Sequence, residues 1–338
     1  MSVTPQTNID LSELAEFLLA HDNFVICGHV SPDGDCLGSQ LALMHALRSV
    51  GKQAVCLLAK DEPIDARLSF LPGADELLPA PGYAGAANTF IAVDVPTRDR
   101  MNSAAVHLLN KCEYSATIDH HATDGRMTEL AYVDPDVAST TMLVWELAGL
   151  MGADRSGAIA TCCYTGLVTD TGRFQYQNTD YAALAAAAAM VEAGAEPAKV
   201  SRDIFQSRTL PSVQLEALVV ERARFASDGS YVLSWLGLDD FERLGAVKAD
   251  AEPVIDALRS LSGVRVACVL REQPDSVRGS FRAKDDTDVA ALARTMNGGG
   301  HKAAAGFTIS GSIETAVERV CNLLDEALGE NDMEGYTS

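Results

Sequence analysis

Short apolar runs alternate with helical patterns along the first half of the chain. Each run is bounded by Gly, Pro or polar residues, as is typical of buried strands. The runs lie at 24–27, 54–58, 90–95 and 116–118. Apolar residues at helical spacing predict helices over about 37–50, 139–150 and 157–168. Strands that alternate with helices in this way predict an α/β domain, with a mostly parallel sheet and helices on both faces.

The second half of the chain begins with a stretch that contains no strand pattern. Residues 181–224 have a helical pattern broken by Gly194, Pro197 and Pro211. Beyond it, strands are predicted over 231–236, 264–270, 277–283 and 307–309, and helices over 289–296 and 313–328. We therefore expect a first α/β domain over 1–185, a helical connector over 186–225, a smaller α/β domain over 226–330 and a disordered tail over 331–338.

Composition limits the ligands that this chain can bind. Its 338 residues are enough for two domains, and 26 Lys plus Arg against 47 Asp plus Glu give a net charge of −21. Such a chain does not hold long nucleic acid through a broad basic surface, because Lys and Arg contacts to phosphates supply most non-specific affinity. An anionic ligand would need a local device, either metal ions or a small Arg cluster.

Apolar runs and cysteines indicate the compartment. The longest apolar run, 181–191, is too short to span a membrane, and the N-terminus lacks the basic and apolar regions of a signal peptide. The eight cysteines form no CxxC pair, and most lie in apolar stretches. Buried free thiols are typical of a reducing environment. We therefore expect a cytoplasmic protein with no membrane association.

The most informative segment follows the first predicted strand. His29, Asp33 and Asp35 lie in a Pro/Gly-containing turn between that strand and the next helix. In an open α/β sheet the ligand crevice lies beyond the carboxyl ends of the strands, so these side chains can point into one pocket. One imidazole and two carboxylates suit a cation such as Mn²⁺. The alternative is an ordinary surface turn.

Three further acidic segments follow the same logic. Asp94 ends an apolar run, Asp119-His120-His121 follows another, and Asp170 lies at the end of a helix. An Asp beside a histidine is a typical partner that orients a metal-binding imidazole. Taken singly, each segment has an alternative: a helix cap or turn for Asp94, a polar loop for the histidines, and a helix end capped by Gly172 for Asp170.

Taken together, these segments supply two imidazoles and four carboxylates. The set is His29, Asp33, Asp35, Asp94, His120 and Asp170. It suffices for two divalent metal ions with one bridging carboxylate, an arrangement that recurs in phosphatases and nucleases. Such a site also accommodates the acidity of the chain, because the acids bind the metal and the metal binds an anion.

A glycine-rich loop in the second half has its own chemistry. Gly298, Gly299 and Gly300 precede His301, and three glycines let the backbone approach a phosphate closely and offer N–H donors. His301 and Arg282 can bind phosphate oxygens. The alternatives are a flexible turn for the loop and a solvated edge position for Arg282.

The motifs as a set resemble the DHH phosphoesterase superfamily. They are His-x-x-x-Asp-x-Asp, Asp, Asp-His-His and Asp, in this order, and the Gly-Gly-Gly-His loop resembles the associated DHHA1 substrate domain. The similarity runs from about 22 to 328. The resemblance implies two ions, expected to be Mn²⁺, and attack on phosphorus by a hydroxide that bridges them.

The resemblance also implies a role for each residue. One ion would be held by His29, Asp33 and Asp94, and the other by Asp35, Asp94, His120 and Asp170. Asp94 would bridge the ions, His121 would lie at the substrate phosphate, and Asp119 would orient its neighbours. The substrate would be bound by Ser280, Arg282, Gly298, Gly299, Gly300 and His301. Asp124 departs from the family, where many relatives carry Asn.

Length and motifs select one type within the superfamily. The resemblance is to stand-alone enzymes that cleave very short RNA to 5′-mononucleotides and convert adenosine 3′,5′-bisphosphate (pAp) to AMP. The alternative is a phosphodiesterase for cyclic or linear dinucleotides, followed by a non-catalytic nucleotide sensor. Long exonucleases, pyrophosphatases and membrane-bound enzymes of the superfamily have domains that are not recognised here. A homodimer is common among such relatives.

Overall fold

The structure is a computed structural model that describes residues 4–329. The chain divides into two compact units, with the boundary between Ser207 and Arg208. This boundary falls inside the stretch predicted as a connector, 186–225, so one part of that stretch belongs to each unit. The tail predicted over 331–338 lies outside the described residues.

The first unit alternates strands and helices. Its helices are α1 (Leu11–Ala20), α2 (Gly34–Ser49), α3 (Ser103–Lys111), α4 (Thr140–Leu150), α5 (Ala158–Asp170), α6 (Tyr181–Glu192) and α7 (Pro197–Phe205). Its strands are β1 (Phe24–Cys27), β2 (Ala54–Leu58), β3 (Leu78–Pro79), β4 (Thr89–Val93), β5 (Tyr114–Asp119) and β6 (Leu130–Val133). Short 3₁₀ turns lie at Ala66–Leu68, Ala74–Glu76 and Arg98–Arg100.

The six strands form one parallel sheet in the order β3-β2-β1-β4-β5-β6. One face packs on α1, α2, α4 and α5, and the other packs on α3. The predicted parallel sheet with helices on both faces is therefore confirmed. Strand order reverses between β1 and β4, and such a switch point opens a crevice at the carboxyl ends of these two strands.

The sequence pattern missed or shortened several elements of this unit. Helix α2 begins at Gly34, before the predicted start at 37, because the Asp33 side chain accepts hydrogen bonds from the backbone N–H groups of Asp35 and Cys36. Such an N-cap lets a helix begin over a polar segment that lacks apolar periodicity. Helix α1, helix α3 and strand β6 were not predicted.

The second unit has a smaller sheet and shorter helices. The helices are α8 (Leu210–Glu221), α9 (Leu238–Leu244), α10 (Ile255–Arg259), α11 (Val289–Arg294) and α12 (Ile313–Gly329), with a 3₁₀ turn at Lys248–Ala251. The strands are β7 (Arg224–Phe225), β8 (Tyr231–Leu236), β9 (Val266–Gln273), β10 (Ser276–Ala283), β11 (Gly299–His301) and β12 (Ala304–Ser310).

This sheet is mainly antiparallel, in the order β11-β12-β10-β9-β8-β7, with β8 and β9 parallel. One face packs on α11 and α12. The other face packs on α8 and α10, through β8 and β9. The Gly-Gly-Gly-His segment was predicted as a loop, and this is wrong for its last three residues, which pair with β12 as β11.

Two general expectations bear on location. Within residues 4–329, no helix is both long enough and apolar enough to cross a bilayer. All eight cysteines are free thiols, and six of them are buried. The expectation of buried, unpaired cysteines therefore holds for most of them.

Asp240 stabilises the second unit through an ion pair in which the carboxylate is buried and the guanidinium is partly exposed. It is 5% exposed and accepts hydrogen bonds from Arg222, Arg243 and the Gly237 N–H. Burial opposes its ionisation, but the Arg222 hydrogen bond and the Gly237 N–H outweigh burial and lower the pKa of Asp240. A carboxylate with a lowered pKa stabilises the fold above its unfolded pKa of about 3.9, and this contribution is lost as pH falls.

We therefore expect Asp240→Asn to lower the free energy of unfolding by about 2 kcal/mol at pH 7. The value is less than for a fully buried pair because the Arg222 side chain is 31% exposed. Urea unfolding at pH 7 and pH 3 measures the effect, which should shrink at pH 3, because pH 3 lies below the pKa of about 3.9 that the carboxyl has in the unfolded chain. An equal loss at both pH values would contradict this account.

Candidate functional site

The candidate site lies at the switch point of the first sheet. His29 follows β1 and Asp94 follows β4, so both leave the carboxyl ends of the two strands between which strand order reverses. Asp94 has φ of +53°, in the left-handed region that Asp and Asn tolerate better than most residues. Its N–H donates to the Ile118 carbonyl, at 3.0 Å, and this bond holds the turn against β5.

Asp33 and Asp35 enter the site from the start of α2. Asp33 caps that helix with one carboxylate oxygen, and its side chain is 59% exposed. Asp35 is fully buried and accepts from the backbone N–H groups of Thr140 and Thr141, at 2.7 and 2.9 Å. These donors begin α4, so the positive end of that helix faces the carboxylate.

Thr140 contacts a second acid of the site. Its hydroxyl donates to Asp94 at 2.9 Å, so one residue holds Asp35 through its backbone and Asp94 through its side chain. Sequence reasoning missed this role of Thr140 and Thr141. The available signal was Ser139-Thr140-Thr141 before an apolar helix, a composition typical of helix N-termini.

Asp119, His120 and His121 lie at the end of β5. Asp119 is fully buried and accepts from the backbone N–H of His120 at 2.8 Å and of His121 at 3.1 Å. The same carboxylate oxygen lies 2.7 Å from His121 Nδ1. Asp119 therefore fixes the backbone of both histidines and the ring of the second. Asp124, where relatives often have Asn, is exposed in the following loop.

The two imidazoles converge on the carboxylates. His29 Nε2 lies 3.6 Å from Asp94, and His120 Nε2 lies 3.6 Å from Asp94, 3.8 Å from Asp35 and 3.3 Å from Asp170. Asp170 reaches this position from the last residue of α5. The structure thus brings the predicted first-unit residues together, with Asp94 between the two imidazoles.

The acids perturb one another strongly. Burial, and then repulsion by Asp94, raises the pKa of Asp35 well above its usual range. Burial, and then repulsion by Asp35, does the same to Asp170. Burial opposes ionisation of Asp94, but the neighbouring imidazoles of His29, His121 and His120 lower its pKa. Ionising all these carboxylates together therefore requires additional positive charge.

The geometry fits divalent cations. The imidazole–carboxylate distances of 3.3–3.8 Å exceed those of a direct ion-pair hydrogen bond. They match the spacing of about 3–4 Å between ligands that each lie roughly 2.1 Å from one ion. Among residues 4–329, three triads have ligand atoms within 4.8 Å of one another, and they are Asp94/His120/His121, Asp35/His120/Asp170 and His29/Cys36/Asp94. Cys36 was not among the predicted ligands.

The predicted phosphate-binding residues lie together in the second unit. On β10, the part-exposed side chains alternate with core side chains, so Arg278, Ser280 and Arg282 share one side of the sheet. We call this side the Ser280 face. In the strand register Ser280 pairs with Gly306, and Gly306 pairs with Gly299. His301 pairs with Ala304, which pairs with Arg282. The glycine strand therefore borders the Ser280 face.

Packing requires glycine at some positions of the segment 298–300 but not at all of them. A Cβ on Gly298 would lie 2.2 Å from the Gly306 carbonyl oxygen. Gly300 has φ of +143°, and a Cβ there would lie 2.5 Å from the Ala304 carbonyl oxygen. Gly299 is exposed, and a Cβ on it would meet nothing within 4 Å. Packing thus requires glycine at 298 and 300, whereas packing leaves room for a side chain at 299.

This difference makes a prediction for matched alanine variants. Gly299→Ala should fold with wild-type stability and weaken binding of a phosphate ligand about tenfold, because its methyl group occupies the approach to the backbone N–H groups. Gly298→Ala should lower the free energy of unfolding by about 2 kcal/mol. Thermal melts and nucleotide titrations of both variants measure these effects. Unchanged nucleotide affinity in Gly299→Ala would contradict the ligand interpretation.

Comparison with known proteins agrees with both units. The DHH family N-terminal domain matches residues 23–167, and the DHHA1 domain matches residues 228–330. The bifunctional oligoribonuclease and PAP phosphatase NrnA of Thermus thermophilus is 32% identical over 93% of each chain. The protein of the same name from Bacillus subtilis is 27% identical over 88% of this chain and 93% of that protein.

A solved structure shows the same two-unit fold. The crystal structure of an exopolyphosphatase-related protein from Bacteroides fragilis superposes with a TM-score of 0.86, at 25% identity, over 94% of this chain and 95% of that one. The matched domains, the relatives and the converging Asp and His side chains agree in one conclusion. The chain belongs to the DHH family, and it is a phosphoesterase of the hydrolase class.

Proposed function

We propose that this protein hydrolyses very short RNA oligonucleotides to 5′-mononucleotides and pAp to AMP, with two divalent ions, expected to be Mn²⁺. The observation that carries the proposal is the convergence of His29 and His120 on a shared buried carboxylate, Asp94. The named activities of the two NrnA relatives support the choice of substrates.

The residues divide into two candidate ligand sets. His29, Asp33 and Asp94 would hold one ion, and the other would be held by Asp35, Asp94, His120 and Asp170. When bound, such ions lower the pKa of a coordinated water and screen the charge of a phosphate. The rest of the mechanism depends on the side chains around them.

His121 would stabilise negative charge on the substrate phosphate. Although burial opposes its charge, the carboxylate of Asp119 raises the pKa of His121 to about 9. The ring is therefore protonated at neutral pH, and its Nδ1 lies 2.7 Å from Asp119. Asp119 holds the ring orientation, so the remaining N–H can donate to a phosphate oxygen.

The second unit would bind the nucleotide. Arg282 can donate to phosphate in bidentate fashion, Ser280 and His301 add single donors, and the backbone of Gly298, Gly299 and Gly300 lines the approach. These groups form a local anion site on a chain whose net charge is −21. A few local donors favour short substrates, because long RNA gains most of its affinity from many dispersed basic contacts.

Two alternatives remain as outcomes of the tests. A phosphodiesterase for cyclic or linear dinucleotides would use the same ligand set, but the names of the two NrnA relatives, oligoribonuclease and PAP phosphatase, support short RNA and pAp as substrates. A non-catalytic sensor would bind nucleotides without turnover, and the presence of all six candidate ligands argues against it. We further propose a cytoplasmic location, which the free thiols support, and a homodimer as the assembly to be tested.

A length series tests the proposed substrate class. With Mn²⁺, we expect kcat/KM to be at least tenfold higher for a labelled RNA dimer or trimer than for a 24-mer. The proposed site has donors for only a few phosphates, so the additional phosphates of the 24-mer contribute no binding. Initial rates at equal molar concentration of ends measure the ratio. Comparable rates for the dimer and the 24-mer would exclude selectivity for short RNA.

A further inference from the structure

Arg271 carries a buried charge that neither the fold nor the proposed metal chemistry explains. It lies on β9 opposite Arg278 in the strand register, so its side chain belongs to the Ser280 face. The side chain is only 8% exposed. Burying a guanidinium costs free energy unless its donors find acceptors. A structural role alone would favour an apolar residue at this position.

The hydrogen bonds of Arg271 indicate what it does. Nη1 donates to Glu252 at 2.9 Å, and Nη2 donates to the Ser280 hydroxyl oxygen at 2.6 Å. Nε is buried and has no hydrogen-bond partner among the described residues. Glu252 is half exposed, so it anchors the guanidinium from the solvent side. Arg271 is therefore fixed in place and directed at Ser280.

This contact determines the role of the Ser280 hydroxyl. A guanidinium has no acceptor, so Ser280 must accept from Arg271, and its own O–H is left to donate elsewhere. The positive charge behind the oxygen strengthens that donor. A phosphate oxygen only accepts hydrogen bonds, whereas a hydroxyl group of a ligand can also donate one. The Arg271–Ser280 pair is therefore better suited to bind an anion than to bind a hydroxyl group of a ligand.

The surroundings of Ser280 favour the same ligand. Its cross-strand neighbours are Val269 and Gly306, which offer no competing side-chain acceptor. Arg278 and Arg282 lie two residues away on the same strand and the same face. Three arginines thus share the face that carries this hydroxyl. Among the described hydrogen bonds, Glu252 is the single carboxylate in contact with Arg271 or Ser280.

We propose that Arg271 is the positioning residue of a phosphate subsite, where it holds the Ser280 hydroxyl as a dedicated donor to a phosphate oxygen of the bound nucleotide. The inference deepens the proposed function and rests on it for the substrate class. It adds a residue that acts through Ser280, and it assigns the Ser280 face to recognition of phosphate instead of ribose or base.

A double-mutant cycle on ligand binding tests this inference. The full chain is titrated with pAp in EDTA, so that divalent ions do not contribute, using wild type, Ser280→Ala, Arg271→Met and the double variant. We expect each single variant to weaken binding about 10- to 100-fold, and the double variant to bind no more weakly than the weaker single variant. Additive losses, no loss in Arg271→Met, or no binding by wild type would overturn the proposal.

A conservative variant separates positioning from folding. Arg271→Lys should recover most of the pAp affinity, because the ammonium still donates to Ser280. In the loaded enzyme, Arg271→Met should raise KM about tenfold or more and change kcat less than threefold. A purely structural role would instead lower the melting temperature and kcat of Arg271→Met together, and Arg271→Lys would not recover pAp affinity. That result would overturn the inference.

The two levels of proposal can fail separately. If the cycle shows coupling on pAp but wild type with Mn²⁺ cleaves neither RNA dimers nor pAp, the proposed function fails and the subsite stands. If wild type cleaves both and the cycle shows no coupling, the proposed function stands and the subsite fails.

Discussion

Asp94→Asn is expected to lower the turnover of short RNA by about 1,000-fold or more, the scale seen when a central catalytic group is removed. The change replaces one carboxylate oxygen by an amide and leaves the shape nearly unchanged. Asn accepts the left-handed backbone of this position, φ +53°, and its carbonyl can still accept from the Thr140 hydroxyl. The lost property is the negative charge shared by His29 and His120.

The matched control is Asp75→Asn, on the exposed surface of the first unit. It removes the same charge from the same chain and should leave kcat/KM within about twofold. Initial rates on a labelled RNA dimer with Mn²⁺ measure both variants, and circular dichroism checks that each is folded. An Asp94→Asn variant that keeps more than a tenth of wild-type activity would refute the placement of Asp94 at the centre of the site.

Removal of divalent ions is expected to have the second large effect. Treatment with EDTA followed by desalting should lower activity by about 1,000-fold or more, and added Mn²⁺ should restore it, because the buried acids need cations to ionise together. The ions should also stabilise the fold, by about 3–4 kcal/mol at 100 to 1,000 times their dissociation constant. Activity assays and thermal melts with and without Mn²⁺ measure the two effects.

Asp94→Asn serves as the control that shows whether Mn²⁺ stabilises the fold by binding at this site. In this variant, added Mn²⁺ should shift the melting temperature far less than in wild type, because the carboxylate between both imidazoles has been neutralised. Full activity after EDTA treatment, with residual metal verified as absent by elemental analysis, would contradict the metal-dependent account.

The sequence was sufficient to predict the four central strands of the first sheet and the polar side chains that follow them, because local signals agreed there. Apolar runs that end at His29, Asp94 and Asp119 place polar side chains at the carboxyl ends of adjacent strands, and parallel topology brings them together. Asp170 came from a helix end, where the pattern alone was equally typical of capping. Its position beside His120 depends on how α5 packs on α2, which local sequence does not encode.

The missed contributions are those that depend on tertiary contacts. Thr140 supports Asp35 and Asp94 from a distant part of the chain, and its composition signalled only a helix start. Arg271 lies one residue beyond the strand predicted over 264–270, and the observed strand extends past it. No sequence pattern indicated that its charge is held by Glu252 and Ser280. Gly299–His301 looked like a loop because glycine lacks strand propensity, but pairing with β12 overrides that preference.

Product analysis on two substrates tests the central claim most directly. Wild-type protein with Mn²⁺ is incubated with a labelled RNA dimer and with pAp, and the products are separated and identified. The account predicts 5′-mononucleotides from the dimer and AMP plus phosphate from pAp, with neither product formed by Asp94→Asn. Intact dimer and intact pAp, together with hydrolysis of a cyclic dinucleotide under the same conditions, would contradict it.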